Sequence, residues 1–165
     1  MSPLRPASLL ALALTLTGAT ACSRAVTFPD DEFRFPAGFS GVAVIIWDQP
    51  DGVRLERVGT DGRRFTFPAD GVLRLQDPQP PGSRWVKDHP PRFVMVGADG
   101  ATTPLASFWQ PIEGAPQAEL SSSFSRQEGS GPRCSGDSIL VGFRDDKGKE
   151  ALRKTFSDRV DAACR

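Results

Sequence analysis

The sequence predicts a mainly β fold, a small β-sandwich with one C-terminal α-helix, and three observations predict it. Val42-Ala43-Val44-Ile45-Ile46-Trp47 is an apolar run with no alternation, as in a strand buried on both faces. Short strand-like pieces follow it, punctuated by Asp-Gly pairs at Asp51, Asp61, Asp70 and Asp99. After Lys147 the pattern becomes helical, with Leu152, Phe156, Val160 and Ala163 along one stripe. Composition agrees: 16 Gly and 15 Pro in 165 residues favour turns and short elements over a helical bundle. That length suits one domain.

The chain divides into residues 1–21, 22–37 and 38–165. Residues 1–21 read as an export signal. Arg5 is the positive n-region, and residues 9–16 (LLALALTL) are the apolar core, too short for the roughly 20 residues that span a bilayer. Ala19-Thr20-Ala21-Cys22 ends it. Ala-x-Ala alone is a signal-peptidase site, whereas a Cys after small residues resembles the lipobox of bacterial lipoproteins. Ala19 stands where Leu is usual. In that reading Cys22 is diacylated and becomes the mature N-terminus. The chain has 3 cysteines. Lipidation of Cys22 leaves Cys134 and Cys164 as a pair for a disulfide in an oxidising compartment, and without it one thiol is left over. The expected location is therefore the bacterial cell envelope, lipid-anchored. Ser23, in place of a retention Asp, leans toward the outer membrane of a Gram-negative source. The alternative is secretion as a soluble module.

Residues 22–37 read as a tether. Pro29 and Pro36 forbid a helix, Asp30-Asp31-Glu32 reads as a solvated acidic turn, and residues 26–28 and 33–35 as short edge strands. The domain proper then starts at Gly38. After the buried strand, Pro50-Asp51-Gly52 turns the chain. Residues 53–58 alternate as a half-exposed strand, and Asp61-Gly62 signals a hairpin into residues 63–67, with Phe65 and Phe67 on one face. Asp70-Gly71 turns again into residues 72–75. Residues 76–91 are a Pro-rich loop. Residues 92–96 and 102–105 form a hairpin about Asp99-Gly100. Residues 107–136 are irregular, with a polar edge strand over 119–125 and flexible-looking serines at 121–123. Residues 138–143 form another buried strand. Asp146 is the expected N-cap of the helix. A Cys134–Cys164 bridge would clip that helix to the last strand, which the chain-entropy model puts at about 3.5–4 kcal/mol.

Pro36, Gly38, Phe39, Gly41, the strand to Trp47, residues 50–52, then Gly62, Phe65, Phe67, Pro68 and Gly71 together carry a resemblance. They resemble a family of uncharacterised bacterial exported proteins, many with lipoprotein signals. The match covers residues 36–75, with Val141-Gly142 as a weak later match. The phrase from Gly62 to Gly71 is also similar to the strand ends of transthyretin-like β-sandwiches. The resemblance implies a fold, and the family has no activity to transfer.

No pattern for chemistry stands out. Outside residues 1–21, which carry only Arg5, nineteen basic residues face twenty acidic ones, so nucleic acid is not an expected partner. His89 is the sole histidine, set before Pro90 and Pro91; no Gly-x-Ser-x-Gly elbow accompanies it. No catalytic residue is assigned, although an envelope hydrolase with His89 in its site is the competing class. No metal site or cofactor is expected: the cysteines lack Cys-x-x-Cys spacing, and no Asp-Gly pair opens a calcium loop. Trp47 ends a buried strand and belongs to the core. Trp85 and Trp109 lie beside loops and, with His89, form the candidate binding surface, for which an apolar cap over the sandwich is the alternative. The expected role is a non-enzymatic binding or structural accessory module, held to the membrane through its N-terminal lipid, with envelope proteins or glycans as partners.

Overall fold

A computed structural model describes residues 31–59, 62–80, 90–127 and 134–165. Nine strands and a helix follow in order: β1 (Asp31–Pro36), β2 (Gly41–Ile46), β3 (Glu56–Val58), β4 (Gly62–Thr66), β5 (Val72–Arg74), β6 (Arg92–Val96), β7 (Thr102–Pro104), β8 (Gln117–Arg126), β9 (Cys134–Phe143) and α1 (Asp146–Ala163). They build a five-stranded sheet, β3-β4-β1-β6-β7, and a four-stranded sheet, β5-β2-β9-β8. The mainly β class and the single C-terminal helix are as the sequence predicts.

β2 explains its own lack of alternation. Ala43, Ile45 and Trp47 point into the core between the sheets, while Val42, Val44 and Ile46 belong to a second cluster under the helix. The strand has an apolar layer on each side, so both of its faces must be apolar. Leu152, Phe156, Val160 and Ala163 of α1 cover that second layer. The helix starts one residue before the expected position. Asp145 is the N-cap, because its backbone is extended and its carboxylate accepts from the Gly148 N–H at 2.7 Å. Asp146 lies inside the first turn, where its charge suits the positive end of the helix. The Cys134–Cys164 disulfide is formed, with 5.8 Å between the Cα atoms, and ties the start of β9 to the C-cap of α1.

The segment read as the end of a tether is the main correction. β1 is the central strand of the five-stranded sheet, flanked by β4 and β6 in parallel. Phe33 and Phe35 are fully buried. The reason is a repeated phrase. Phe33-Arg34-Phe35-Pro36-Ala37 and Phe65-Thr66-Phe67-Pro68-Ala69 share the pattern Phe-x-Phe-Pro-Ala, and the register pairs Phe33 with Phe65. Phe33 stacks on Phe65 at 4.6 Å and on Phe93 at 5.2 Å, and Phe35 stacks on Phe67 at 4.8 Å. These offset stacks form a Phe ladder across three parallel strands. Asp31 is no solvated turn residue either. It is 1% exposed and accepts two bonds from the Arg63 guanidinium, one of them at 2.8 Å. The expected edge strand over residues 26–28 lies outside the described residues.

Each Phe-x-Phe-Pro phrase ends at a corner instead of a hairpin. After Pro36 and after Pro68 the chain crosses to the other sheet, to β2 and to β5, which then lie parallel. Gly71 closes the second corner with φ 71° and donates to Pro68 O at 2.9 Å. Asp70-Gly71 is thus a sheet-to-sheet corner. Asp99-Gly100 does close the β6–β7 hairpin, and β3 and β4 pair antiparallel, Val58 with Gly62. The predicted strand over 53–58 is shorter. Val53 makes an isolated bridge to Leu75 of the other layer, and β3 begins only at Glu56. Parallel pairing of β1–β4, β1–β6 and β2–β5 departs from the antiparallel sheets of an immunoglobulin sandwich.

Candidate functional site

β8 is a ten-residue edge strand, whereas the other three sheet edges, β3, β7 and β5, have three residues each. Its ladder with β9 is irregular between Leu120 and Ser122, a bulge that re-aims the serines. The polar edge strand expected over residues 119–125 is present and longer, and it takes in Ser121-Ser122-Ser123, flexible-looking in the sequence. β9 also starts earlier than predicted, at Cys134, which brings Gly136 and Asp137 into the sheet. Gly136 is required there: a Cβ would run into Ile45 O and the Phe124 ring.

A cleft of about 250 Å³ opens beside this edge, lined by Trp109, Leu120, Ser121, Ser122, Ser123, Asp137 and Ser138. Asp137 is 5% exposed. Its Oδ2 accepts the Trp47 indole N–H at 2.8 Å, and its Oδ1 accepts the Ser123 hydroxyl. A buried carboxylate needs such donors to offset its lost hydration. Ser138 Oγ donates to Ser122 O at 3.0 Å and receives the Ser122 N–H at 3.3 Å, filling the gap left by the bulge. Trp109 forms the apolar wall. It is half-buried and meets Phe108 edge-on at 6.0 Å. Its loop is held by Ser107, whose Oγ and backbone O both accept from Gln110 N, and by Ala106, which pairs with residues 116–118.

Chemically this is a hydrogen-bonding surface beside an aromatic face. The Ser123 hydroxyl donates its hydrogen bond directly to Asp137, a carboxylate that also accepts from Trp47. His89 and Trp85 lie outside the described residues. Of the three residues of the predicted surface, Trp109 is therefore the one the structure places, at the cleft. The serines and Asp137 were not singled out in the sequence. Their signal there is slight, because Cys134-Ser135-Gly136-Asp137 has neither apolar run nor alternation.

The outer face of the five-stranded sheet is a second polar surface. Glu32 pairs with Arg64 at 3.1 Å, Arg92 at 3.2 Å and Arg34 at 3.8 Å, and Arg64 also reaches Glu56 at 2.6 Å. The bond to Glu32, aided by Glu56 and opposed by burial, holds the Arg64 guanidinium above its ordinary pKa. The pairs follow the strand register, with the two carboxylates Glu32 and Glu56 shared among Arg34, Arg64 and Arg92, so this face is a structural charge ladder. Among the described residues no group of three or more His, Cys, Asp or Glu is placed to hold a metal, and no helix is long and apolar enough to cross a membrane.

No family model and no curated protein matches the chain. Among solved structures, the fold is similar to that of a Bacillus anthracis protein described as a candidate lipoprotein. The TM-score is 0.53 at 15% identity, over 80% of this chain and 94% of that one. At that identity the likeness speaks for the fold: a mainly β architecture of two mixed sheets with a C-terminal helix.

Proposed function

We propose that this protein is a lipid-anchored envelope protein that binds, without chemistry, a hydroxyl-rich ligand of the glycan class in the Trp109 cleft. The carrying observation is the cleft itself, lined by the Trp109 indole, by serines 121–123 and 138, and by an Asp137 carboxylate that accepts from Trp47 and Ser123. A sugar ring offers what such a site accepts, an apolar face for the indole and hydroxyls for the polar floor. The anchor is supported by the residue pattern through Cys22 and by the pairing of Cys134 with Cys164, which leaves Cys22 as the odd cysteine. The fold likeness to the Bacillus anthracis protein described as a candidate lipoprotein is compatible with an envelope address.

Titration of the protein with soluble cell-wall saccharide fragments, followed by calorimetry, tests the binding reading. Trp109→Ala is expected to weaken binding about tenfold or more, near 1.4 kcal/mol, with the thermal midpoint unchanged. An unfolded variant would make Trp109 a core cap, and wild-type protein that binds no saccharide would remove the glycan reading. Metabolic labelling with a fatty acid tests the anchor: label on wild type and none on Cys22→Ala is expected, and equal label on both would overturn it.

A further inference from the structure

We infer that the loop carrying Phe108 and Trp109 rests on the lipid surface to which the chain is anchored, so that the Trp109 cleft opens at the bilayer. The inference builds on lipidation of Cys22.

Phe108 is 86% exposed, and Ile112 in the same loop is 39% exposed. They stand in a stretch, residues 107–116, whose one charged side chain is Glu113. An exposed Phe beside a Trp is what membrane-interfacial segments present: the Phe enters the acyl boundary and the indole sits at headgroup level. Trp109 suits that place, with one side toward the polar cleft and its neighbour Phe108 toward solvent. Ser107 and Gln110 hold the turn by reciprocal backbone bonds at 3.0 and 3.2 Å, so the display of Phe108 is built into the backbone.

The position of the loop selects the occupant. Leu105 N donates to Phe93 O at 2.9 Å, and Phe93 is the register partner of Phe33. The loop thus leaves the five-stranded sheet two strands away from β1, about 10 Å across, and about 7 Å along the strand from Asp31. Asp31 is where the chain from Cys22 reaches the sheet. Eight residues lie between them, and even fully extended the nine steps from Cys22 to Asp31 reach only about 30 Å. The Asp31 end of β1 is thus the end at which the anchored chain enters the fold, and the Phe108 loop is on that end. The opposite end carries the Asp99-Gly100 turn, where residues 97–101 are small apart from the exposed Asp99 and include no large exposed hydrophobic side chain.

The test uses the full chain, purified from bacterial membranes and reconstituted in vesicles of phosphatidylethanolamine and phosphatidylglycerol. Phe108→Cys, and separately Ile112→Cys, carries an environment-sensitive fluorophore; Ala101→Cys on the far turn is the control. With Cys22 acylated and Cys134 bonded to Cys164, the introduced thiol is the one that labels. The expected result is a blue shift at 108, a smaller one at 112, quenching of both by lipid spin-labelled near the headgroup, and no change at 101. Vesicle-bound protein whose 108 and 112 reporters match their spectra in detergent-free buffer, or match the 101 reporter, overturns the inference and leaves the anchor standing. Wild-type chain that takes up dye at Cys22 and stays out of the vesicles overturns the anchor and the orientation with it.

Discussion

The two apolar layers of this protein are built from different side chains and held by different means. Between the sheets the layer is aromatic: Phe33, Phe35, Phe65, Phe67, Phe93 and Trp47 fill it, and strands distant in sequence bring them together. Under the helix the layer is mostly aliphatic and smaller, and covalent and ionic clips close it: the disulfide, Glu119 with Lys149 and Arg153, and Arg126 with Asp161. The inner layer joins the two sheets to each other, whereas the outer layer fastens one helix to the four-stranded sheet. A stacked Phe has no nearby replacement for its contacts. Surface ion pairs of the outer layer contribute little singly, so the disulfide matters most there.

Three variants test this contrast. Phe33→Ala should have the largest effect, because its ring stacks on Phe65 and on Phe93 at once. A loss toward the upper end of about 3–5 kcal/mol is expected in urea unfolding, and a shift under 1 kcal/mol would deny the aromatic layer its role. Arg63→Ala comes next. It leaves the Asp31 carboxylate buried without its bidentate partner, at about 3–5 kcal/mol. Replacing both by well-packed apolar residues should recover most of that loss, and failure to recover would mean the pair does more than neutralise itself. Removing the disulfide with Cys134→Ser and Cys164→Ser should cost the least, about 2–4 kcal/mol. Hydrogen exchange should then rise in α1 first, while β1, β2 and β4 keep their protection. Uniform loss of protection would show that the two layers are one cooperative unit.

Legibility followed how local each signal is. The buried β2, the β6–β7 hairpin, the helix stripe and the cysteine pair all rest on neighbouring residues or on counting, and all four appear in the structure. β1 was legible as a strand over residues 33–35 but not as the centre of a sheet, because its flanks, Asp30-Asp31-Glu32 and two prolines, carry the marks of a linker. The sign that it belongs to the core is the second Phe-x-Phe-Pro-Ala phrase 32 residues on, the same separation that joins Asp31 to Arg63. The candidate site was the least legible. Trp109 could be singled out as an aromatic near a loop, but Asp137 gains its meaning from Trp47, 90 residues away.

By itself the sequence determined the β class, the doubly buried second strand, the single C-terminal helix and the cysteine partners. These depend on side-chain periodicity, turn chemistry and parity, which are properties of short stretches. Only the tertiary structure decided that Pro36 and Pro68 are corners between sheets, that β1 is central, and that a bulge beside Asp137 faces Trp109 to make a cleft. Strand pairing joins residues far apart in the chain, and each pairing is set by which apolar faces can be buried together. That competition is resolved only when all the layers are packed at once.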